Sequence, residues 1–442
     1  MTLDQVEKLV AEQGIEFFLC SFVEMGGAPK AKVVPATNLP DMAEEGAGFA
    51  GFAAGNMGQG PHDNDMASIP DFSSLTVVPW RRNMAWVAGD VQVDGVPFNY
   101  CPRTILKRQL ARAEERGYAL HTGVEAEFML LKRGEDGRYS PYDPLDVLDK
   151  PCYDLVTLNR NFDIMTTLIK HMQELGWTPY ANDHEDANCQ FEINWTFSDS
   201  LTTADRHTFF KWMVKVVAEE HGLYASFMPK PFADLTGNGA HHHLSLWGGD
   251  ENVFKDESDE NGLSQEAYWF MGGLLHHAKG LAAINGPLVN SYKRLVRGAP
   301  RSGATWAPVY ITYGGSNRTQ MIRIPGPGRI ENRCIDGAAN PYLAAAAMLA
   351  AGLDGIENKM DPGGRNDDNL YDYSEEQLEQ QGIDFLPSTL REAVDHLAED
   401  AVLKEALGAE YADYYIACKR EEWREYHHSV SQWELDAYLP VY

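Results

Sequence analysis

The sequence predicts an α+β protein built from two units, a small mostly β unit over residues 1–100 and a large α/β unit over 101–442. Three observations carry this. A chain of 442 residues fits about two to four domains at roughly 100–200 residues each. Short β-rich runs punctuated by Gly, Pro and Asp fill the first hundred residues. At Cys101–Pro102 the pattern changes, and long helical periodicities begin to alternate with strands.

The elements follow in order. Leu3, Val6, Leu9 and Val10 lie at helical spacing, so 3–11 reads as a short helix. Ile15–Phe22, Ala31–Val34, Leu75–Trp80 and Met84–Val91 read as strands, and Gly46–Pro61 as a Gly- and Asn-rich loop. Pro102 suits the first turn of a helix whose stripe is Ile105, Leu106, Leu110 and Ala111. Further helices are expected at 157–175, 206–221, 266–284 and 340–353, with a helical tail over 387–424.

Composition narrows the function. With 37 basic against 65 acidic residues, the net charge is −28. That excludes nucleic acid and anionic membrane surfaces as expected partners, since both need a basic face. An apolar fraction of 44% marks a folded globular chain. The six cysteines are far apart and form no C-x-x-C pair, which fits a reducing cytosol. MTLDQVEKLV has neither a basic n-region nor an apolar h-region, and Leu343–Leu353 is about half of a membrane span. A cytoplasmic protein with no membrane contact is expected, and Leu343–Leu353 reads as a buried Ala-rich helix.

Four segments place acidic, His or Arg side chains at period two, the spacing that puts them on one face of a strand. Glu125 and Glu127 form the first. In the second, Glu185 and Glu192 are seven apart, so they share a face only if the turn residues Asp186–Asn188 intervene. In the third, His241, His243 and Ser245 share a face behind a Gly-x-Gly that lets backbone approach a ligand. In the fourth, Arg329, Glu331 and Arg333 align, with Arg294, Arg318 and Arg323 nearby in sequence. Each segment alone reads as a solvated strand face, a core His pair or a structural ion pair. His276, His277, His427 and His428 read as helix-surface histidines. Together the four segments specify carboxylates, one or two histidines and several arginines in one site. Hard oxygen ligands with one His favour Mg²⁺ or Mn²⁺, and arginines beside them fit phosphoryl transfer. No P-loop, Rossmann fingerprint or G-x-S-x-G elbow is present.

These segments resemble the glutamine synthetase superfamily, with the architecture of its bacterial class I. The specific pieces are Phe227-Met-Pro-Lys-Pro231, Gly237-Asn-Gly-Ala-His241, Asn290-Ser-Tyr-Lys-Arg-Leu-Val296, Asn317-Arg318, Ile322-Arg-Ile-Pro325, Arg329-Ile-Glu-Asn-Arg333 and Ala339-Asn-Pro-Tyr342. The resemblance implies an N-terminal β-grasp domain, a C-terminal catalytic domain, and a homo-dodecamer with active sites between subunits. It implies an ATP-dependent ligase that activates the γ-carboxylate of glutamate as an acyl phosphate, which an amine then displaces. It also implies ATP as co-substrate and two or more Mg²⁺ or Mn²⁺ ions per site. Carried over by position, Glu127, Glu185 and Glu192 resemble the ligands of one ion, and Glu125, His241 and Glu331 those of a second. Phe197, His243, Ser245, Arg323 and Arg329 match nucleotide contacts. Gly237, Arg294 and Arg333 match glutamate contacts, and Arg318 the arginine beside the transferred phosphoryl group.

The departures bear on the amine. The family's flap carries a glutamate that helps bind and deprotonate ammonium, whereas here Trp306 precedes Ala307-Pro-Val-Tyr310. The stretch between Arg294 and Trp306 is also longer than in the family. A second acid, from a Phe-Asp-Gly-Ser-Ser stretch, aligns with Ala53 in Phe52-Ala-Ala-Gly-Asn56, and the asparagine before Gly237 is Thr236. An indole suits a methylammonium ion through burial and cation–π attraction of about 0.5–2 kcal/mol. The expected reaction is therefore glutamate–methylamine ligation to γ-glutamylmethylamide, with Trp306, Arg318 and Glu185 in the catalytic set. The alternatives are a glutamine synthetase using ammonia and a structural relative without activity. A carboxylate-rich storage protein leaves the arginines unexplained. Tyr371 falls where some glutamine synthetases are adenylylated, but nothing in the sequence gives a physical reason for that modification here.

Overall fold

The computed structural model describes residues 1–297 and 307–442. Helices and two sheets make an α+β protein. The strands of the first sheet lie between Phe17 and Pro97, in the order Pro29–Pro35, Phe17–Val23, Met84–Val93, Met66–Pro70, Ala47–Phe49. Phe17–Val23 runs parallel to Met84–Val93 and antiparallel to Pro29–Pro35. The helices Leu3–Gln13 and Leu39–Glu45 cover one face, where Val6, Leu39 and Met42 pack on Phe18, Cys20 and Val87. This mixed sheet with its helical cover is the N-terminal sheet domain expected from the resemblance. The Gly46–Pro61 stretch is not all loop, because Ala47–Phe49 pairs with Met66–Pro70.

The second sheet runs Pro179–His184, Gln190–Trp195, Ala119–Arg133, Ala240–Gly248, Arg329–Asn332, Gln320–Gly326, Tyr310–Gly314, Asp384–Phe385. Its central pairs are antiparallel. Period-two alternation decides its two faces. Val124, Ala126 and Phe128 point back with Phe191 and Ile193 onto Phe209, Phe210 and Met213 of the helix Ser200–Glu220. Glu125 and Glu127, the intervening residues, are left on the open face. The Ala-rich stretch forms the helix Pro341–Asn358, buried along most of its length and capped by Asn340, whose side chain accepts from the Tyr342 and Leu343 N–H groups.

Three of the expected helices are interrupted. The 157–175 helix divides into Leu155–Arg160 and Phe162–Glu174 at Asn161, whose side-chain amide donates to Thr157 O at 2.8 Å. That bond is the local alternative that Asn offers a helical backbone. The tail divides into Leu390–Glu399, Ala401–Leu407 and Ala409–His428, broken at Asp400, which caps the second piece, and at Gly408, with φ of 91°. The 266–284 helix breaks at His277 into Gln265–His276 and Ala278–Asn285.

His277 is also the one misplaced histidine of the four. It is buried, with Nδ1 2.6 Å from Asp400 and Nε2 3.0 Å from Asp354, so it ties three helical segments together. Burial works against its charged form, but the two carboxylates outweigh burial and raise its pKa above the usual 6.5. The sign follows from linkage. A raised folded pKa stabilises the fold fully below about pH 6.5, and that contribution fades as pH rises through the folded value. His277→Gln should therefore lower the melting temperature more at pH 6 than at pH 9. Equal losses at both pH values would mean that the histidine is not charged in the fold.

Candidate active site

The open face of the second sheet brings the four segments together. In register, Glu192 stands opposite Glu127, His241 opposite Glu125, and Glu331 opposite His243. Neighbouring strands thus put four carboxylates and two imidazoles on one surface. Glu185 joins them through the turn after His184. Cys189 takes a φ of 59° there, and the Glu185 N–H donates to Gln190 O at 2.8 Å. That reversal resolves the odd offset between Glu185 and Glu192.

The contacts are dense. His243 Nε2 lies 2.8 Å from Glu125 Oε1, and His241 Nδ1 lies 3.3 Å from Glu125 Oε2. Glu331 is fully buried and pairs with Arg323 and Arg333, each at 2.6 Å. Glu127 Oε2 accepts from Gln190 Nε2 at 3.0 Å and from Gly239 N–H at 2.8 Å. Asn194 donates to Glu192 at 2.7 Å.

Electrostatics divide the acids. Burial and neighbouring carboxylates push Glu185 and Glu192 well above the usual carboxylate range. Burial opposes ionisation of Glu125 too, but hydrogen bonds from His241 and His243 hold it well below that range. Burial and the charges of Glu125 and Glu127 raise Asp183 to about 6. Acids crowded this closely ionise together only around added positive charge. Among the described residues, two trios bring ligand atoms within 4.8 Å of one another: Glu125, His241 and Glu331, and Glu127, Glu192 and His241. Carboxylates with one imidazole fit hard divalent cations. Glu185 stands in neither trio, although it lines the same chamber, and His241 reaches both.

Two cavities meet at Glu125 and Tyr180. The first, of about 450 Å³, is lined by Glu127, Glu185, Glu192, Gly237, His241, Arg294, Arg318, Arg323 and Arg333. The second, of about 490 Å³, takes Phe197, His243, Ser245 and Arg329. Arg323, expected with the nucleotide group, lines the first chamber instead. Trp306 lies outside the described residues. Its chain neighbour Ala307 lines the first chamber, and Ala307 O accepts from the Tyr371 hydroxyl at 2.9 Å.

Gly237 and Gly239 have a steric reason to be glycine. A Cβ on Gly237 would meet Pro229 O at 2.3 Å. One on Gly239 would meet His241 Nε2 at 2.6 Å and Arg294 Nη2 at 2.9 Å. Gly239→Ala should therefore displace both side chains and lower turnover by about 10²-fold, measured as ADP release. Wild-type turnover in that variant would refute the close-approach argument.

Sequence reasoning missed several residues that build the site. Trp247 stacks on His121 with ring centroids 5.1 Å apart and on Phe197 at 6.1 Å, closing an aromatic slot. Continuing the His241, His243, Ser245 alternation by two would have reached it. Gln190 donates from one amide nitrogen toward Glu127, Gly237 O and Asn238 Oδ1, which no local pattern reveals. Asn290 exchanges hydrogen bonds with the Lys230 backbone, locking two of the quoted motifs together.

An acid- and arginine-lined chamber opening onto an aromatic slot, across the antiparallel centre of one sheet, defines a catalytic domain of the carboxylate–amine ligase class. The chain belongs to the glutamine synthetase family: residues 99–438 match the model of the glutamine synthetase catalytic domain. Members of this family use ATP and divalent metal ions. The chain is 45% identical to a glutamine synthetase of Rhizobium meliloti and 46% identical to a glutamate–methylamine ligase of Methyloversatilis universalis, each over the full length of both chains. It is also similar to a solved structure described as a GmaS/ADP complex, with 50% identity, a TM-score of 0.92, and coverage of 98% of this chain and 99% of that one. An apo GmaS structure gives a TM-score of 0.90 at 50% identity and 98% coverage of both chains. No helix among the described residues is long and apolar enough to cross a membrane.

Proposed function

We propose that this enzyme joins the γ-carboxylate of L-glutamate to methylamine, giving γ-glutamylmethylamide, ADP and phosphate. The observation that carries the reading is the full-length likeness to GmaS, γ-glutamylmethylamide synthetase, at 50% identity. The sequence adds support, since Trp306 and Ala53 stand where the family's ammonium-binding acids are expected.

In this reading ATP enters the aromatic slot, its base against Phe197, with His243, Ser245 and Arg329 along its sugar and phosphates. Arg323 reaches the phosphates from the neighbouring chamber. Glutamate enters that chamber, its carboxylate and amine groups held by Arg294, Arg333 and the Gly237 backbone. A γ-carboxylate oxygen attacks the terminal phosphorus and ADP leaves. The uncharged amine nitrogen then attacks the acyl carbon, and phosphate leaves carrying the proton that the nitrogen gives up. Arg318, at the chamber's rim, offsets charge on the transferred phosphoryl group. Glu127, Glu185 and Glu192 would hold one divalent ion, and Glu125, His241 and Glu331 a second. Mg²⁺ or Mn²⁺ bound there would neutralise the triphosphate and the approaching carboxylate. The proposed assembly is a dodecamer of 1–100 and 101–442 domain pairs with active sites between subunits. The exposed Leu155, Val156 and Phe162, and Trp433, Leu439 and Tyr442 of the C-terminal segment, are apolar surface that such contacts would cover.

The second reading is glutamine synthetase using ammonia, favoured by the relatives of that name at 45–46% identity. Glutamate- and ATP-dependent ADP release with Mg²⁺, titrated separately with methylamine and ammonium, decides between them. The higher kcat/KM is expected with methylamine. Preference for ammonium would return the chain to glutamine synthetase, and no release with either amine would leave an inactive relative.

A further inference from the structure

Among the described residues, Arg294 is a buried cation with no acid paired to it. Its residue is 8% exposed, and among the described residues its guanidinium meets only neutral acceptors. Nη1 donates to Cys334 O at 3.3 Å and Nη2 to Arg333 O at 3.0 Å, with His241 Nε2 3.5 Å away. Carbonyls satisfy donors but do not neutralise a charge. Glu331 is already shared between Arg323 and Arg333. A guanidinium buried in this way is costly unless some acid acts from behind it.

Asp336 is that acid. It is fully buried, and its backbone is fixed by a bridge to Gly239 and by its N–H donating to Asn285 O at 3.1 Å. The first anchor and the chain itself both lead to Arg294. Gly239 is the residue whose Cα faces Arg294 Nη2, and Cys334, two residues before Asp336, supplies the carbonyl for Nη1. Asp336 Oδ1 accepts from Ala338 N–H at 2.9 Å, while Oδ2 is buried without a hydrogen-bond partner among the described residues. Asp336 is the acid whose charge acts most strongly on Arg294, ahead of Glu127. Burial pushes Asp336 up to about 6, and Arg294 is the first of the groups that oppose this, ahead of Lys211. Ser291, which opens the helical turn carrying Arg294, also favours the ionised carboxylate.

We infer that Asp336 is a positioning residue for glutamate recognition, seating Arg294 from behind while leaving its outward donors for the substrate. This rests on the reading of Arg294 as a glutamate contact. A direct ion pair would occupy the fork that a substrate carboxylate needs. An acid one layer behind supplies the charge without taking the donors.

The test is steady-state ADP release by the full-length enzyme with Mg²⁺, varying glutamate and ATP in turn. Asp336→Asn keeps shape and removes charge. It should raise the glutamate KM about tenfold or more and leave the ATP KM unchanged. Adding Asp336→Asn to Arg294→Ala should raise the glutamate KM no further. If Arg294→Ala alone leaves that KM unchanged, the glutamate-contact reading fails. If Arg294→Ala raises it but Asp336→Asn does not, or if both KM values rise together, or if the two effects add, the inference about Asp336 fails. Ser291→Ala keeps the carboxylate and should raise the glutamate KM by a smaller factor. Should Asp336→Asn not fold, an unchanged KM in Ser291→Ala overturns the inference.

Discussion

Glu331→Gln is expected to reduce ADP release by about 10²–10³-fold with the protein still folded, and Glu331→Ala to reduce it at least as far while also destabilising the fold. Glu331 is the most deeply buried acid of the site. Each of its oxygens meets a guanidinium at 2.6 Å, and Oε1 lies 3.8 Å from His241 Nδ1. Burial resists ionisation of the group, but Arg333 and the two histidines keep it below the usual carboxylate range. The carboxylate therefore has two tasks, to orient Arg323 and Arg333 and to complete the trio with Glu125 and His241. The amide can still accept hydrogen bonds but offers no charge to a cation. The alanine leaves the buried Arg333 guanidinium and the partly buried Arg323 without their acid, a change that costs about 3–5 kcal/mol. Circular dichroism and thermal melting separate the two variants, and ADP release at saturating Mg²⁺ reads the first task against the second. Turnover at the wild-type rate in Glu331→Gln would remove Glu331 from the site.

How much of this was legible in the sequence depended on how local each signal was. Glu125 with Glu127, and His241 with His243 and Ser245, could be placed on one face because a strand's alternation is fixed by its own backbone. The helical stretch 340–353 was legible for the same reason, with Asn340 as its cap. What failed was information held between segments. His277 looked like any polar residue on a helix because Asp354 and Asp400 are 77 and 123 residues away in the chain. Gln190 is a neutral amide among acids, and only the pairing of its strand with Ala119–Arg133 brings it to Glu127. The trio of His241 with Glu125 and Glu331 is present, but an imidazole has two ring nitrogens and reaches further. Nδ1 faces Glu125 and Glu331, while Nε2 faces Glu127 at 3.7 Å. The breaks at Asn161 and Asp400 went unseen because each side chain hydrogen-bonds locally, where periodicity alone reads a continuous helix.

Arg103→Ala should be among the most destabilising single changes outside the site, at about 3–5 kcal/mol. Its side chain is 3% exposed and meets three acids: Asp90 at 2.7 Å, Asp71 at 3.0 Å, and Asp205 through two bonds of 3.0 Å. Asp90 belongs to the central strand of the first sheet, and Asp71 follows its Met66–Pro70 strand. Asp205 lies on the helix behind the second sheet and also accepts from the Tyr342 hydroxyl at 2.7 Å. One guanidinium thus joins both sheets. Lys107 reaches Asp71 and Asp90 but not Asp205, so it replaces only part of the lost charge. Removing Arg103 leaves Asp205 buried with one hydroxyl against a carboxylate that burial already resists ionising. Arg103→Lys keeps the charge but loses the planar fork, so it should fall between the alanine variant and wild type. Chemical denaturation followed by tryptophan fluorescence measures both. Trp86, in the first sheet, packs against Phe209 of the helix that carries Asp205. It therefore reports on the same junction. An alanine variant as stable as wild type would mean that apolar packing alone holds the two sheets together.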